Sequence, residues 1–289
     1  MIYILFNPLA GHGDSEAQAK ALAAHYQEPV SFLDITQIQD YHALLSPLSQ
    51  DDAIVICGGD GTLNRFVNAI EGIEPSCDIF YYAIGTGNDF LHDLGKKPES
   101  EPTRVNDYLK DLPFVEVKDQ KCRFINGIGF GIDGYCCEVG DKLKQTADKP
   151  VNYTAIAIKG LLFHYKPTNA TVTVDGKSYS YKKVWIAAAM KGRYYGGGMM
   201  TAPEQDRLSE SKELTLVVMH GSGKLRTLTV FPSIFKGEHI KHTKMVAVHT
   251  GKDIRVTFDR PTALQIDGET VLGVTEYHVC AKLPEPATL

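Results

Sequence analysis

Three of the four residues in Gly58-Gly59-Asp60-Gly61 are glycine, and a hydroxyl residue, Thr62, follows directly. Glycine turns the backbone sharply and lets a bulky anion reach the N–H groups with no Cβ in the way. Ahead of this turn, Ala53-Ile54-Val55-Ile56-Cys57 is continuously apolar and reads as a strand buried on both faces of a parallel sheet. Behind it, residues 62–69 have helical spacing, so the positive end of that helix points back at the glycines. A carboxylate at Asp60 cannot ligate a phosphate; it holds a cation or accepts a proton. In outline this is phosphotransfer chemistry.

Three further turns carry comparable residues. Gly85-Thr86-Gly87-Asn88-Asp89-Phe90 follows a second apolar run, 79–84. Taken alone it also reads as a turn in which Asn88 or Asp89 caps a helix, a reading that weakens beside the first loop, because two such turns would converge on one site. Asn7-Pro8-Leu9-Ala10-Gly11-His12-Gly13 follows the first strand, 2–6, and can offer backbone N–H groups at the next helix start. No G-x-x-x-x-G-K-[ST] loop is present, which argues against a Walker loop, and the turn at 7–13 carries no G-x-G-x-x-G fingerprint, which argues against a dinucleotide dehydrogenase site there. Far along the chain, Gln265-Ile266-Asp267-Gly268-Glu269 is either an ordinary Asp-Gly turn or a pair of carboxylates that reaches a metal-nucleotide.

The elements that must position these turns fall into two groups. Residues 1–115 alternate: strand 2–6, helix 15–26, strand 30–35, helix 40–45, strand 53–57, helix 62–70, strand 79–84. This rhythm predicts a parallel sheet with helices on both faces, whose ligands sit beyond the carboxyl ends of the strands. Strands then dominate, at 115–117, 124–129, 170–174, 178–190, 214–219, 245–249, 254–258 and 263–266. Asp175-Gly176 is the clearest hairpin signal, and one helix, 152–164, interrupts the run. The fold class is therefore α/β: a parallel-sheet nucleotide-binding domain over 1–118 and an antiparallel β-sandwich over 119–275. A final strand, within 276–289, is placed as a return to the first domain.

Composition bounds the rest. Hydrophobic residues at 43% and charged residues at 22% suit a globular chain, and no apolar run approaches the ~18 residues of a membrane span. The N-terminus lacks the basic region of a signal peptide, so a cytoplasmic protein is expected. Six cysteines without C-x-x-C spacing read as reduced thiols, and His239 with His242 as a solvated face. Residues 1–118 carry 7 basic and 18 acidic side chains (−11), and residues 119–289 carry 23 and 17 (+6). A basic second half either reflects ordinary variation or lies against an anionic membrane leaflet, at about 1 kcal/mol per cation near the surface.

Together the four turns resemble the diacylglycerol kinase catalytic family, in its bacterial lipid kinase branch beside sphingosine and ceramide kinases. Gly58–Thr62 carries its G-G-D-G-T signature, 85–90 its G-T-x-N-D-F segment, 7–11 its N-P-x-x-G opening and 267–269 its D-G-E. Asn126-Gly127-Ile128-Gly129-Phe130-Gly131 resembles the stretch that opens its second domain. The first motif alone is shared with NAD kinases.

The resemblance implies ATP and Mg²⁺ bound between the two domains, with the γ-phosphoryl passing to a lipid hydroxyl. By position, Asn7, Gly11, Gly59, Asp60, Gly61, Thr62, Asn64 and Thr86 would contact nucleotide, with Thr36 a weaker candidate. Asp60 and Asp89 would organise phosphates and magnesium. Asp267 and Glu269 would supply the general base, with Asp60 a rival. One departure is plain: after Gly196-Gly197-Gly198 the family's D-D-G-x-L-D is missing, so either Asp206 or Glu210 substitutes in holding a structural magnesium or that site is lost or altered.

The expected function is an ATP-dependent lipid kinase at the membrane surface, with diacylglycerol as first acceptor. NAD kinase and a catalytically silent nucleotide or lipid sensor stand as alternatives. The expected partners are a lipid substrate and a peripheral membrane contact; a homodimer stays open, and no nucleic acid is expected.

Overall fold

The computed structural model describes residues 1–10, 15–84, 88–98, 101–146 and 151–282. The chain divides into two compact units, Met1–Lys110 and Asp111–Leu289.

The first unit is built on β1 (Ile2–Phe6), α1 (Ser15–Ala23), β2 (Val30–Asp34), α2 (Tyr41–Leu45), β3 (Ala53–Gly58), α3 (Asp60–Ala69), β4 (Asp78–Ala83), α4 (Asp89–Asp93), β5 (Thr103–Arg104) and α5 (Asn106–Leu109). Its sheet runs β2-β1-β3-β4-β5, parallel except for the antiparallel edge strand β5. On one face Ala19 and Leu22 of α1 pack against Ile4, Val55 and Cys57. Tyr81 meets Phe90 edge-on at 5.9 Å. Because β2 lies on one side of β1 and β3 on the other, the strand order reverses between β1 and β3. A crevice opens at such a reversal, beyond the carboxyl ends of the strands.

The second unit contains β6 (Phe114–Val117), β7 (Gln120–Arg123), β8 (Gly127–Gly131), α6 (Ile132–Thr146), α7 (Tyr153–Lys159), β9 (Thr168–Val174), β10 (Lys177–Val184) and β11 (Ile186–Met190). The short pair β12 (Tyr194–Tyr195) and β13 (Met199–Met200) follows, then β14 (Leu214–Met219), α8 (Lys224–Val230), β15 (Val246–Gly251), β16 (Asp253–Ile266) and β17 (Glu269–Cys280). The antiparallel strands run β15-β14-β11-β8-β16-β17-β6-β7, with β9 also on β16 and β10 on β9.

The long β16 is what turns this sheet into a sandwich. Its pairing slips between Thr257 and Thr262, around Pro261, which has no N–H to give the ladder. Its first half pairs with β9 and its second with β8. Between the layers Phe130 stacks on Phe258 with ring centroids 4.1 Å apart. Outside them, α6 and α7 cover a second cluster that includes Ile132, Ile156 and Trp185. Trp185, the single tryptophan, is 1% exposed and donates its indole N–H to the Ser222 carbonyl at 3.0 Å.

Several sequence expectations shift. The run 178–190 is two strands, broken at Trp185, whereas 254–258 and 263–266 are one. Helix α6 is absent from the sequence reading because its glycines look like turn residues. They serve close packing instead: a Cβ on Gly134 would lie 2.1 Å from the Ala263 carbonyl oxygen. The last strand does not return to the first unit over its described length. β17 is hydrogen-bonded to β16 and β6, and the β6–β7 hairpin spans the expected boundary at 118. His239 is not solvated but buried, bonded through Nε2 to the Thr201 carbonyl at 3.0 Å, and burial pulls its pKa down to about 4.

Candidate functional site

In the first unit the motif residues gather where the strand order reverses. Asn7 ends β1 and the glycines end β3, so the two flank the crevice between those strands. Asn7 donates from Nδ2 to Thr62 Oγ1 at 2.9 Å, tying the β1 end to the first turn of α3. Its Oδ1 accepts from Leu9 N at 3.0 Å, and its carbonyl from the Ser15 hydroxyl. Gly59 is the N-cap of α3 and offers no side chain to its first turn. Gly58 must lack a Cβ, since one would stand 2.5 Å from Thr62 Oγ1. The result is a helix N-terminus with a hydroxyl and an amide beside it, a donor set that fits a phosphate chain.

Asp60 is turned inward, 8% exposed. Its Oδ2 accepts the backbone N–H of Asp89 at 2.7 Å and of Phe90 at 3.3 Å, and Tyr81 donates its hydroxyl to Oδ1 at 3.4 Å. One carboxylate therefore holds the first turn of α4 against the first turn of α3. This brings Asp60 and the buried Asp89 into one neighbourhood, and two carboxylates are the hard oxygen donors that suit magnesium. Tyr81 was not singled out from sequence; burial, with Asp60 next, pushes its pKa well above the usual value. The alternation of Ile79, Tyr81 and Ala83 toward one face of β4 was the available signal.

Not every predicted residue joins this group. Asn64 is buried one turn along α3, and its carbonyl and Oδ1 accept from Asn68 Nδ2 at 2.9 and 3.3 Å. Thr36 is exposed beyond β2, and its N–H and hydroxyl both bond Asp34 Oδ1. Gly11 and Thr86 lie outside the described residues.

In the second unit Asp267 and Gly268 form the two-residue turn between β16 and β17, with φ of 46° and 91°. Two positive φ values mark the hairpin turn that suits strand twist. The Asp267 carboxylate accepts three backbone N–H groups, from Ile125 at 2.6 Å and from Asn126 and Gly127 at 2.9 Å each. Burial raises its pKa, while those donors and Arg207 pull the other way. This carboxylate therefore anchors the hairpin turn to residues 125–127. Glu269 is exposed at the start of β17.

Arg207, also missed from sequence, is buried and donates to the Ile125 carbonyl and to Asn126 Oδ1 at 2.9 Å. Its neighbours Asp206 and Glu210 do not fit a magnesium site. Both are exposed, and Asp206 accepts from Leu208 N. Burial, followed by Arg207, pulls the pKa of Lys191 down in the same region.

Residues 1–112 match the diacylglycerol kinase catalytic domain, and residues 126–283 match the YegS C-terminal NAD kinase beta sandwich-like domain. A candidate lipid kinase of Bacillus subtilis, YtlR, is 25% identical, with 98% of this chain and 97% of that protein covered. A diacylglycerol kinase of Mycobacterium tuberculosis (strain H37Rv) is also 25% identical, over 82% of this chain and 79% of its own. Among solved structures, a diacylglycerol kinase from Bacillus anthracis shares the fold with a TM-score of 0.64 at 19% identity, covering 100% of this chain and 98% of that one. Two domain matches in sequence order, together covering most of the chain, place it: it belongs to the diacylglycerol kinase catalytic family, phosphotransferases with an alcohol acceptor, in the branch with a NAD kinase-like β-sandwich.

Proposed function

We propose that the chain transfers the γ-phosphoryl group of ATP to a lipid hydroxyl, with diacylglycerol as acceptor and phosphatidic acid as product. The carrying observation is the Asn7–Thr62 bond across the strand reversal of the first unit, beside a helix N-terminus capped by glycine. In this reading Asn7, Gly59, Gly61 and Thr62 contact the nucleotide, joined by Gly11 and Thr86. Asp60 and Asp89 hold magnesium, which supplies neutralisation of phosphate charge when bound. Asp60 contributes further by locking α3 and α4 in register.

Phosphoryl transfer needs positioning, charge neutralisation and a carboxylate to take the alcohol proton. With Asp267 held by three backbone donors, Glu269 is the second unit's candidate for that proton. A lipid acceptor is supported by two large apolar side chains in water, Phe163 at 71% and Leu225 at 76% exposure. Their segments are tied by Lys224, which donates to the Leu162 carbonyl at 2.9 Å. No helix among the described residues is long and apolar enough to cross a membrane; in this reading the lipid is met by peripheral contact.

The NAD kinase-like match of the second unit favours NAD as the competing acceptor. Incubation with γ-labelled ATP, magnesium and mixed micelles of diacylglycerol, with NAD in parallel, separates the two. Labelled phosphatidic acid is expected. Label in NADP alone, or none in any lipid of a membrane extract, overturns the proposal.

A further inference from the structure

One cluster in the second unit plays no part in the phosphotransfer reading. Asp253 opens β16, and His278 and Cys280 close β17. Cys280 pairs with Asp253 across the two strands, and residues two apart on a strand share a face, so His278 lies on the same side. The donor atoms converge. His278 Nε2 is 2.9 Å from Asp253 Oδ2, Cys280 Sγ is 3.3 Å from that nitrogen, and Sγ is 3.6 Å from the same oxygen. A tetrahedral zinc ion, with bonds of about 2.0–2.3 Å, sets its ligands about 3.3–3.6 Å apart.

A second observation concerns the other ring nitrogen. His278 Nδ1 faces Glu116 Oε2 at 3.5 Å, while Lys121 pairs with Glu116 Oε1 at 3.3 Å. A carboxylate on the far nitrogen of a ligating histidine fixes its tautomer and orientation, as in carboxylate–histidine–metal sites. Beyond the histidine held between two acids, the Cys280 thiol, which donates to Asp253 Oδ2, adds a third donor atom at the same point.

We propose that Asp253, His278 and Cys280 form a binding site for a borderline divalent metal of the zinc class, with Glu116 as the positioning residue. Thiolate and imidazole donors select such an ion over magnesium, so the site is chemically distinct from any nucleotide-bound cation. Asp253 is 53% exposed, which leaves room for solvent as a fourth ligand. On binding, the Cys280 S–H bond breaks and its proton goes to solvent as the sulfur–metal bond forms. His278 keeps its proton on Nδ1, and nothing is oxidised or reduced.

The test is a cobalt(II) titration of the reduced full-length chain, read by absorption spectroscopy. One equivalent is expected to bind with a thiolate-to-cobalt charge-transfer band, to release one proton and to be displaced by zinc. Cys280→Ser should abolish the band, whereas Cys122→Ser should keep it. Glu116→Gln should keep the band and weaken binding about 10–100-fold. Should Cys280→Ser fail to fold, as judged by circular dichroism, His278→Gln serves the same purpose. Absence of saturable cobalt binding, or a band that survives Cys280→Ser, overturns the site and leaves an ion-paired histidine.

Discussion

Asp60 in the first unit and Asp267 in the second both stand in Asp-Gly sequences, and both accept backbone N–H groups. Their surroundings differ. Asp60 joins two helix N-termini beside a strand reversal, where a phosphate is best met. Asp267 sits in a hairpin turn that the same unit builds again at Asp175-Gly176, with φ of 46° and 80°. There Asp175 Oδ1 likewise accepts two backbone N–H groups, from Lys252 and Asp253 at 2.9 Å. The repeated turn serves as an internal control. An aspartate duplicated at an ordinary turn is explained by that turn, whereas the Asp60 arrangement has no counterpart among the described residues.

The largest effect should therefore fall at Asp60. Asp60→Ala is expected to lower turnover by ~10² or more, with about 2 kcal/mol of stability lost as well, since two helix starts lose their common acceptor. Near-normal turnover in the labelled-phosphate assay would erase the distinction between the two aspartates. Asp267→Ala should cost about 3 kcal/mol in urea unfolding, because three partly buried donors lose a charged acceptor. Asp175→Ala, at an exposed turn, should cost about 1 kcal/mol by the same measurement. Loss of turnover in fully folded Asp267→Ala would return the proton-accepting role to Asp267.

A third aspartate sharpens the contrast because it serves neither turn nor helix pair. Asp133 is buried beneath the Tyr195 hydroxyl, 2.8 Å away, and burial raises its pKa to about 6 from 3.8. Between those values the folded chain keeps a proton that the unfolded chain releases. The associated stability is complete below about pH 4 and declines as pH rises through 6, by roughly 2–3 kcal/mol in all. Unfolding of Asp133→Asn across that range should lack this decline; an unchanged profile would assign it to other groups. The smallest effect is expected at Thr36, whose polar groups already bond Asp34. Thr36→Ala should change stability by less than about 0.5 kcal/mol and turnover by less than about twofold, checked in the same two assays.

Much of the first unit was legible in sequence, because apolar runs ending in glycine report buried parallel strands and their ligand edge. The bends and close contacts of the second were not. Pro261 reads as a strand end, yet it marks the slip within one continuous strand. Gly134 reads as a turn, yet it lets a helix lie directly on β16. The site divided in the same way: residue types located Asp60 and Thr62, but only geometry revealed the acceptor count on Asp267 and the inward guanidinium of Arg207. A long-range hydrogen bond such as Arg207 to Asn126 leaves no local pattern to read.

The solitary indole at Trp185 gives this protein a built-in optical probe of its larger unit. Its emission samples only the sandwich, so a denaturant curve followed by fluorescence registers that unit and passes over the other. The far-ultraviolet signal averages both. Divergence of the two curves would separate the melting of each unit without a label, and ligand added to the first would shift one trace ahead of the other.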